Sequence, residues 1–253
     1  MTEPSSDFGP WARLVRADNP GLMTLDGTNT WVLRPPGSGA TVVVDPGPLD
    51  EGHLQAVLAA ATADGARVEA VLLTHHHFDH AEGAPRFAEL SGAPVYGAEH
   101  GWDDFRPSAA WDGGLRTVAT PGHTADSTSL LLEPAGLLLT GDTVLGRGTT
   151  IIAEPDGHLG EYLRSLDVLA GVVATHDVRW LLPGHGPARE NPAGVVLEYQ
   201  QHRRTRLDQV SAAHAAGART ARAVVEVVYA DVPQELWGAA EVSVQAQLDY
   251  LGL

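Results

Sequence analysis

Val71-Leu72-Leu73-Thr74-His75-His76-His77-Phe78-Asp79-His80 is the stretch on which the reading of this 253-residue chain turns. An apolar run of strand character ends at Leu73, and an H-x-H-x-D-H cluster opens directly after Thr74. A loop that leaves a strand can turn side chains two apart towards one point. His75 and His77 can then clasp one ion while Asp79 and His80 face a second. Imidazole nitrogen and carboxylate oxygen suit Zn²⁺, and they also accept Mn²⁺ or Fe. His76 is expected to point the other way, as the intervening residue of an extended loop.

Other apolar runs end in the same manner. Ala40–Val44 runs into Asp45-Pro46-Gly47, and Leu115–Thr120 into Pro121-Gly122-His123-Thr124. Leu137–Thr140 runs into Gly141-Asp142-Thr143, and Trp180–Leu182 into Pro183-Gly184-His185-Gly186. Sheet folds gather such loops along one edge, so these polar residues are expected to converge.

Composition narrows the chemistry. Cysteine is absent, which removes disulfides, zinc ribbons, iron–sulfur clusters and a thiol nucleophile. All 16 basic residues are arginine, and 32 carboxylates leave a net charge of −16. So acidic a chain is a poor coat for duplex nucleic acid or for an anionic membrane. Apolar residues at 43% are enough for a real core. No apolar run approaches the ~18–20 residues that span a bilayer. Met1–Asp7 lacks the basic and apolar regions of a signal peptide, so a cytoplasmic location is expected. No G-x-S-x-G, Walker or G-x-G-x-x-G motif occurs.

Up to about residue 190, short apolar strands alternate with helical patterns, at about 50–61, 82–90 and 159–169. That rhythm predicts an α/β sandwich with its sheets covered by helices. Beyond Pro192 the pattern is helical: Gly194–Ala216, a helix capped by Thr220, and a third from about Pro233 to Tyr250. The expected division is a catalytic domain at 1–193 and a small all-helical domain at 194–253.

Taken together, the five strand ends resemble the metallo-β-lactamase fold superfamily, which implies a four-layer αββα sandwich with one or two metals at a sheet edge. By that resemblance His75, His77 and His123 would bind a first metal and Asp79, His80 and His185 a second. Asp142 would bridge both, and Asp45 would brace the histidine loop. Two ions roughly 3.5–4 Å apart would bridge and activate a hydroxide, with Asp79 as the catalytic group that orients it. The expected cofactor is therefore two Zn²⁺ per chain.

A narrower resemblance runs through Asn19-Pro20, Met23-Thr24-Leu25 and Gly27-Thr28-Asn29-Thr30-Trp31, and through Gly141–Gly146. It is to lactamase-β-like proteins with a winged-helix-like C-terminal region, some of which are endoribonucleases. Asn29 and Arg147 are the candidates for substrate contact. His202-Arg203-Arg204-Arg206 could touch phosphate but is expected to be a solvated helix face. His53, His100, His158, His176 and His214 sit in contexts that suggest no site. The expected activity is hydrolysis of an ester-, thioester- or phosphodiester-like bond in a small molecule, with the helical tail walling the cleft. The alternatives are a single-strand endoribonuclease acting on RNA and a diiron redox protein on the same scaffold.

Overall fold

A strand buried on both faces needs two covers, and the period-2 alternation of its side chains assigns residues to each. The computed structural model describes residues 6–97, 102, 105, 106, 108, 111 and 114–253. Met1–Ser5 and His100 lie outside them. One sheet holds β1 (Ala12–Arg16), β2 (Asn29–Leu33), β3 (Ala40–Val44), β4 (Arg67–Leu72) and β5 (Val95–Tyr96) in that order, with β3–β4 and β4–β5 parallel. The other holds β6 (Leu115–Ala119), β7 (Thr128–Leu132), β8 (Leu137–Gly141), β9 (Trp180–Pro183) and β10 (Arg189–Glu190), arranged β10-β9-β8-β7-β6. Only its β8–β9 pair is parallel.

Val42, Val44 and Leu72 from the first sheet cluster with Leu130, Leu132 and Leu139 from the second, which fills the space between them. Val43 and Val71 take the opposite face. They pack under α1 (Glu51–Ala61) and α3 (Ala84–Ser91) through Leu54, Val57 and Phe87. A one-turn helix, α2 (Phe78–Ala81), precedes α3. Leu131, Leu138 and Leu181 pack under α4 (Leu159–Thr175) and α5 (Pro192–Ala215) through Leu166, Leu169 and Val196. The layers are therefore αββα.

α5 belongs to two cores at once. Val195, Val196 and Tyr199 join the sandwich, whereas Val210 and Ala213 pack with α6 (Ala221–Val228) and α7 (Trp237–Leu251) through Val224, Val225, Val244 and Leu248. Thr220 caps α6 by accepting from the Ala223 N–H. After Glu190 the described residues form helices and no strand. None of the described helices is long and apolar enough to cross a membrane.

The sheets are stitched at one end. The Asn29 N–H donates to the Gly184 carbonyl at 2.8 Å, and the Thr128 N–H donates to the Thr74 carbonyl at 2.8 Å. The Trp31 indole donates to the Pro183 carbonyl at 3.0 Å. These bonds tie the start of β2 to the end of β9 and the start of β7 to the loop after β4. Two strands were not expected, β1, a short edge strand with a mixed burial pattern, and the two-residue β10, nor was the one-turn α2 in the histidine loop. Leu139, 1% exposed between the sheets, gives a direct test of the packing. Leu139→Ala should lower unfolding free energy by about 2–5 kcal/mol, read from the urea midpoint.

Candidate metal centre

The loop after β4 is held by a carboxylate. Asp45, 2% exposed at the end of β3 and in a left-handed conformation (φ 52°), accepts from the Thr74 N–H and from the Thr74 hydroxyl, each at 2.7 Å. Its Oδ2 also lies 2.9 Å from His80 Nδ1. With Nδ1 occupied, His80 turns Nε2 inward. His123 is oriented likewise, its Nδ1 lying 2.9 Å from the Ile151 carbonyl, and His185 Nδ1 lies 3.3 Å from the Gly27 carbonyl. Such bonds fix a ring's direction and leave the other nitrogen for a ligand.

Two groups of donor atoms result. His77 Nδ1 lies 3.1 Å from both His75 Nε2 and His123 Nε2. In the second group, His185 Nε2 lies 3.1 Å from His80 Nε2 and 3.0 Å from Asp79 Oδ2. Asp142 stands between the groups, its Oδ2 3.3 Å from His185 Nε2 and 3.8 Å from His123 Nε2. All seven residues expected at the site are thus brought together, and each group of three has the spacing of a metal-ion site. Bare imidazole nitrogens this close hold together only with shared protons or a cation between them.

The donors fit a cation by a further observation. Asp142 Oδ1 is buried and has no hydrogen-bond partner. A buried carboxylate oxygen left alone is costly, and a divalent ion would satisfy it. Gly184 keeps that space open, since a Cβ there would stand 2.6 Å from His80 Cε1 and press on Asp142 Oδ1.

Charge is divided within the site. Burial, and then the neighbouring His80, hold His75 well below the usual histidine pKa, so it is neutral. Burial and then His123 lower His77 as well. For His185 burial opposes charging, but Asp142 and Asp79 outweigh it and raise the pKa to about 10. His80 is raised in the same way, with Asp142 and Asp45 overcoming burial. Burial would raise Asp142, yet His185 and His80 hold it well below the carboxylate range.

Other residues are placed differently from expectation. Asn29 is 1% exposed, and its amide donates to the Pro183 and Gly186 carbonyls at 3.0 and 2.8 Å. It fastens the His185 loop and has no surface left for substrate. Arg203 and Arg206 do not form a solvated face: Arg203 is 5% exposed and stacks over Tyr162, and Arg206 lies over Tyr229. Arg147 is half-exposed and paired with Asp26, the Nη2–Oδ1 contact being 2.8 Å. His76 does turn outward, to Asp126 at 2.9 Å and Asp156 at 3.2 Å. His53 is a core residue, 3.0 Å from the Thr30 hydroxyl.

A cavity of about 410 Å³ opens beside the centre and includes His123 and Asp142. Leu145, Thr150 and Ile151 line one side, and Tyr229, Leu236, Ala240 and Ser243 of the C-terminal helices line another. The helical tail therefore walls the cleft. Thr150, which the sequence did not single out, ties this wall to the centre: its hydroxyl donates to the Asp142 carbonyl at 2.6 Å, and its own carbonyl accepts from Arg203.

A model of the metallo-beta-lactamase superfamily matches residues 23–118, and one of the beta-lactamase associated winged helix domain matches residues 220–251. A beta-lactamase-like protein 2 homolog from Caenorhabditis elegans is 32% identical over 248 residues, which cover 91% of this chain and 80% of that protein. An atrochrysone carboxyl ACP thioesterase from Aspergillus fumigatus is 33% identical, covering 88% of this chain and 76% of that one. Among solved structures, a metallo-beta-lactamase family protein from Thermus thermophilus superposes with a TM-score of 0.74 at 23% identity, over 96% of this chain and 93% of that one. A beta-lactamase domain protein from Burkholderia ambifaria gives 0.75 at 22% identity, over 99% and 89%.

A ligand imidazole must be neutral, whereas His185 at about 10 is protonated in the metal-free chain at neutral pH. Metal entry should therefore expel protons, about one per chain or more, and affinity should rise as pH climbs towards 10. Calorimetric titration of Zn²⁺ at pH 7.5 in two buffers of different ionisation enthalpy measures this. Equal heats in both buffers would contradict it.

Proposed function

The chain belongs to the metallo-β-lactamase superfamily, and from that premise we propose that it is a hydrolase that uses two divalent metal ions, zinc by the character of its donors. His75, His77 and His123 would hold one ion, Asp79, His80 and His185 the other, and Asp142 would touch both. The observation that carries this reading is Asp142 itself, set between the two donor groups with Oδ1 buried, without a hydrogen bond and 3.6 Å from His80 Nε2. Ions bound there would supply Lewis acidity, lowering the pKa of a water and polarising the bond to be cleaved.

The chain's own residues do the remainder. Asp79 is partly exposed; burial would raise its pKa, but the hydrogen bond from His185 and the charges of His80 and His185 together lower it. It is ionised at neutral pH. Its Oδ2 is engaged by His185, which leaves Oδ1 to accept a hydrogen bond from an attacking water and so orient it. Asp45 keeps His80 turned towards this point, and the Ile151 carbonyl does the same for His123. The helices of the tail keep bulk water off one side of the cleft and select substrates by shape.

A small ester or thioester is the substrate class favoured. The relative named as a thioesterase supports the thioester, and the largely apolar cavity supports a small molecule. Single-stranded RNA is less favoured, since Arg203 and Arg206 line the cavity, where a small molecule reaches them, rather than forming an exposed basic strip along a backbone. Nothing in the site favours a redox role.

Chelator should abolish turnover of an aryl ester and an acyl thioester, and Zn²⁺ or Mn²⁺ should restore it. Asp79→Ala, at a partly exposed position, should keep its melting temperature within a few degrees and lose about 10²–10⁴-fold in kcat. Turnover unaffected by both treatments would refute the proposal.

A further inference from the structure

The chain is acidic overall, with a net charge of −16, yet its cleft is lined by cations. Arg203, Arg206 and Arg147 all face the cavity, and among the described lining residues Asp142 is the sole carboxylate. Arg147 has a counter-ion in Asp26 outside that lining. Arg203 has none among the described residues: it is 5% exposed, its guanidinium lies 4.7 Å over the Tyr162 ring, one nitrogen donates to the Thr150 carbonyl, and Nε is buried with no hydrogen-bond partner among them. Beside it, His202 also lines the cavity, and its Nδ1 is likewise buried and unpartnered. Burial, and then Arg203 and Arg206, push His202 down to about 4, so it is a neutral group next to two fixed charges.

A buried guanidinium without an anion is costly, and so is a buried N–H without an acceptor. Stacking on Tyr162 and one carbonyl offset part of this. The rest of the lining is mostly apolar, with Leu22, Met23 and Leu145 among it. A volume of about 410 Å³ suits a molecule of small-metabolite size. We propose that this cavity binds an amphipathic anion, an apolar skeleton carrying a carboxylate that Arg203 receives, with Arg206 and His202 flanking it.

This carboxylate is distinct from the bond cleaved. The inference deepens the hydrolase reading and rests on it for the reaction, but the anion subsite itself is independent of turnover. An arginine edge receives the two oxygens of a carboxylate side-on, a geometry that an amide cannot match in charge or in acceptor number.

The test compares decanoate with its neutral isostere decanamide by calorimetric titration of the full chain, once zinc-loaded and once chelated. Decanoate should bind about tenfold tighter or better in both forms, the chelated form removing any contribution from carboxylate on metal. Arg203→Met should abolish the preference and leave decanamide binding unchanged. Arg206→Met, at a half-buried position that tolerates change more readily, should weaken the preference several-fold. Equal affinities in the parent chain would overturn the inference, as would a preference seen only with zinc or one that survives in both variants. A preference that holds in a chain inert to every ester and thioester would leave the anion site standing and remove the hydrolase reading.

Discussion

The Asp45 carboxylate holds the end of β3 against the loop that leaves β4, and the site depends on it. A carboxylate 2% exposed is tolerated only when its oxygens are satisfied, at a cost of several kcal/mol otherwise. Here the acceptors are filled by the backbone and side chain of Thr74 and by His80. Satisfying the buried charge therefore fixes the strand exit and turns one imidazole at once. From this point the remaining histidines need only short reaches. The Gly141 and Gly184 turns bring Asp142 and His185 to the same edge, and the Asn29 bonds fasten the last loop.

The same economy explains the electrostatics. Burial and the neighbouring imidazoles hold His75 and His77 down, whereas Asp142, with Asp45 or Asp79, overcomes burial and raises His80 and His185. Asp79 and Asp142 are correspondingly held ionised. A site poised this way would exchange protons for cations on taking up metal. Its neighbour, the arginine-lined cleft, carries the opposite need, a buried cation without an anion.

Much of this was legible in the sequence because strand ends punctuate it. Each apolar run stops at a residue that carries a donor, and the spacing within His75–His80 shows which side chains share a side. The sandwich followed from the alternation of apolar runs with helical patterns. β1 was missed because an edge strand of five residues, partly exposed, carries too little alternation. Asn29 looked like a substrate contact because it lies in a polar motif next to a strand. Its real partners, Pro183 and Gly186, are more than 150 residues away, and no local pattern encodes such a pairing. The same limit hid Arg203, whose burial depends on Tyr162 of α4 and Thr150 of the loop after β8, both distant in sequence.

The central claim is that two metal positions share Asp142. Metal content of the purified, zinc-saturated chain, counted by native mass spectrometry, tests it most directly. The account predicts two ions per chain, falling to one in His185→Ala because that imidazole serves only the second group. A single ion in the parent chain, or two ions retained in His185→Ala, would contradict it.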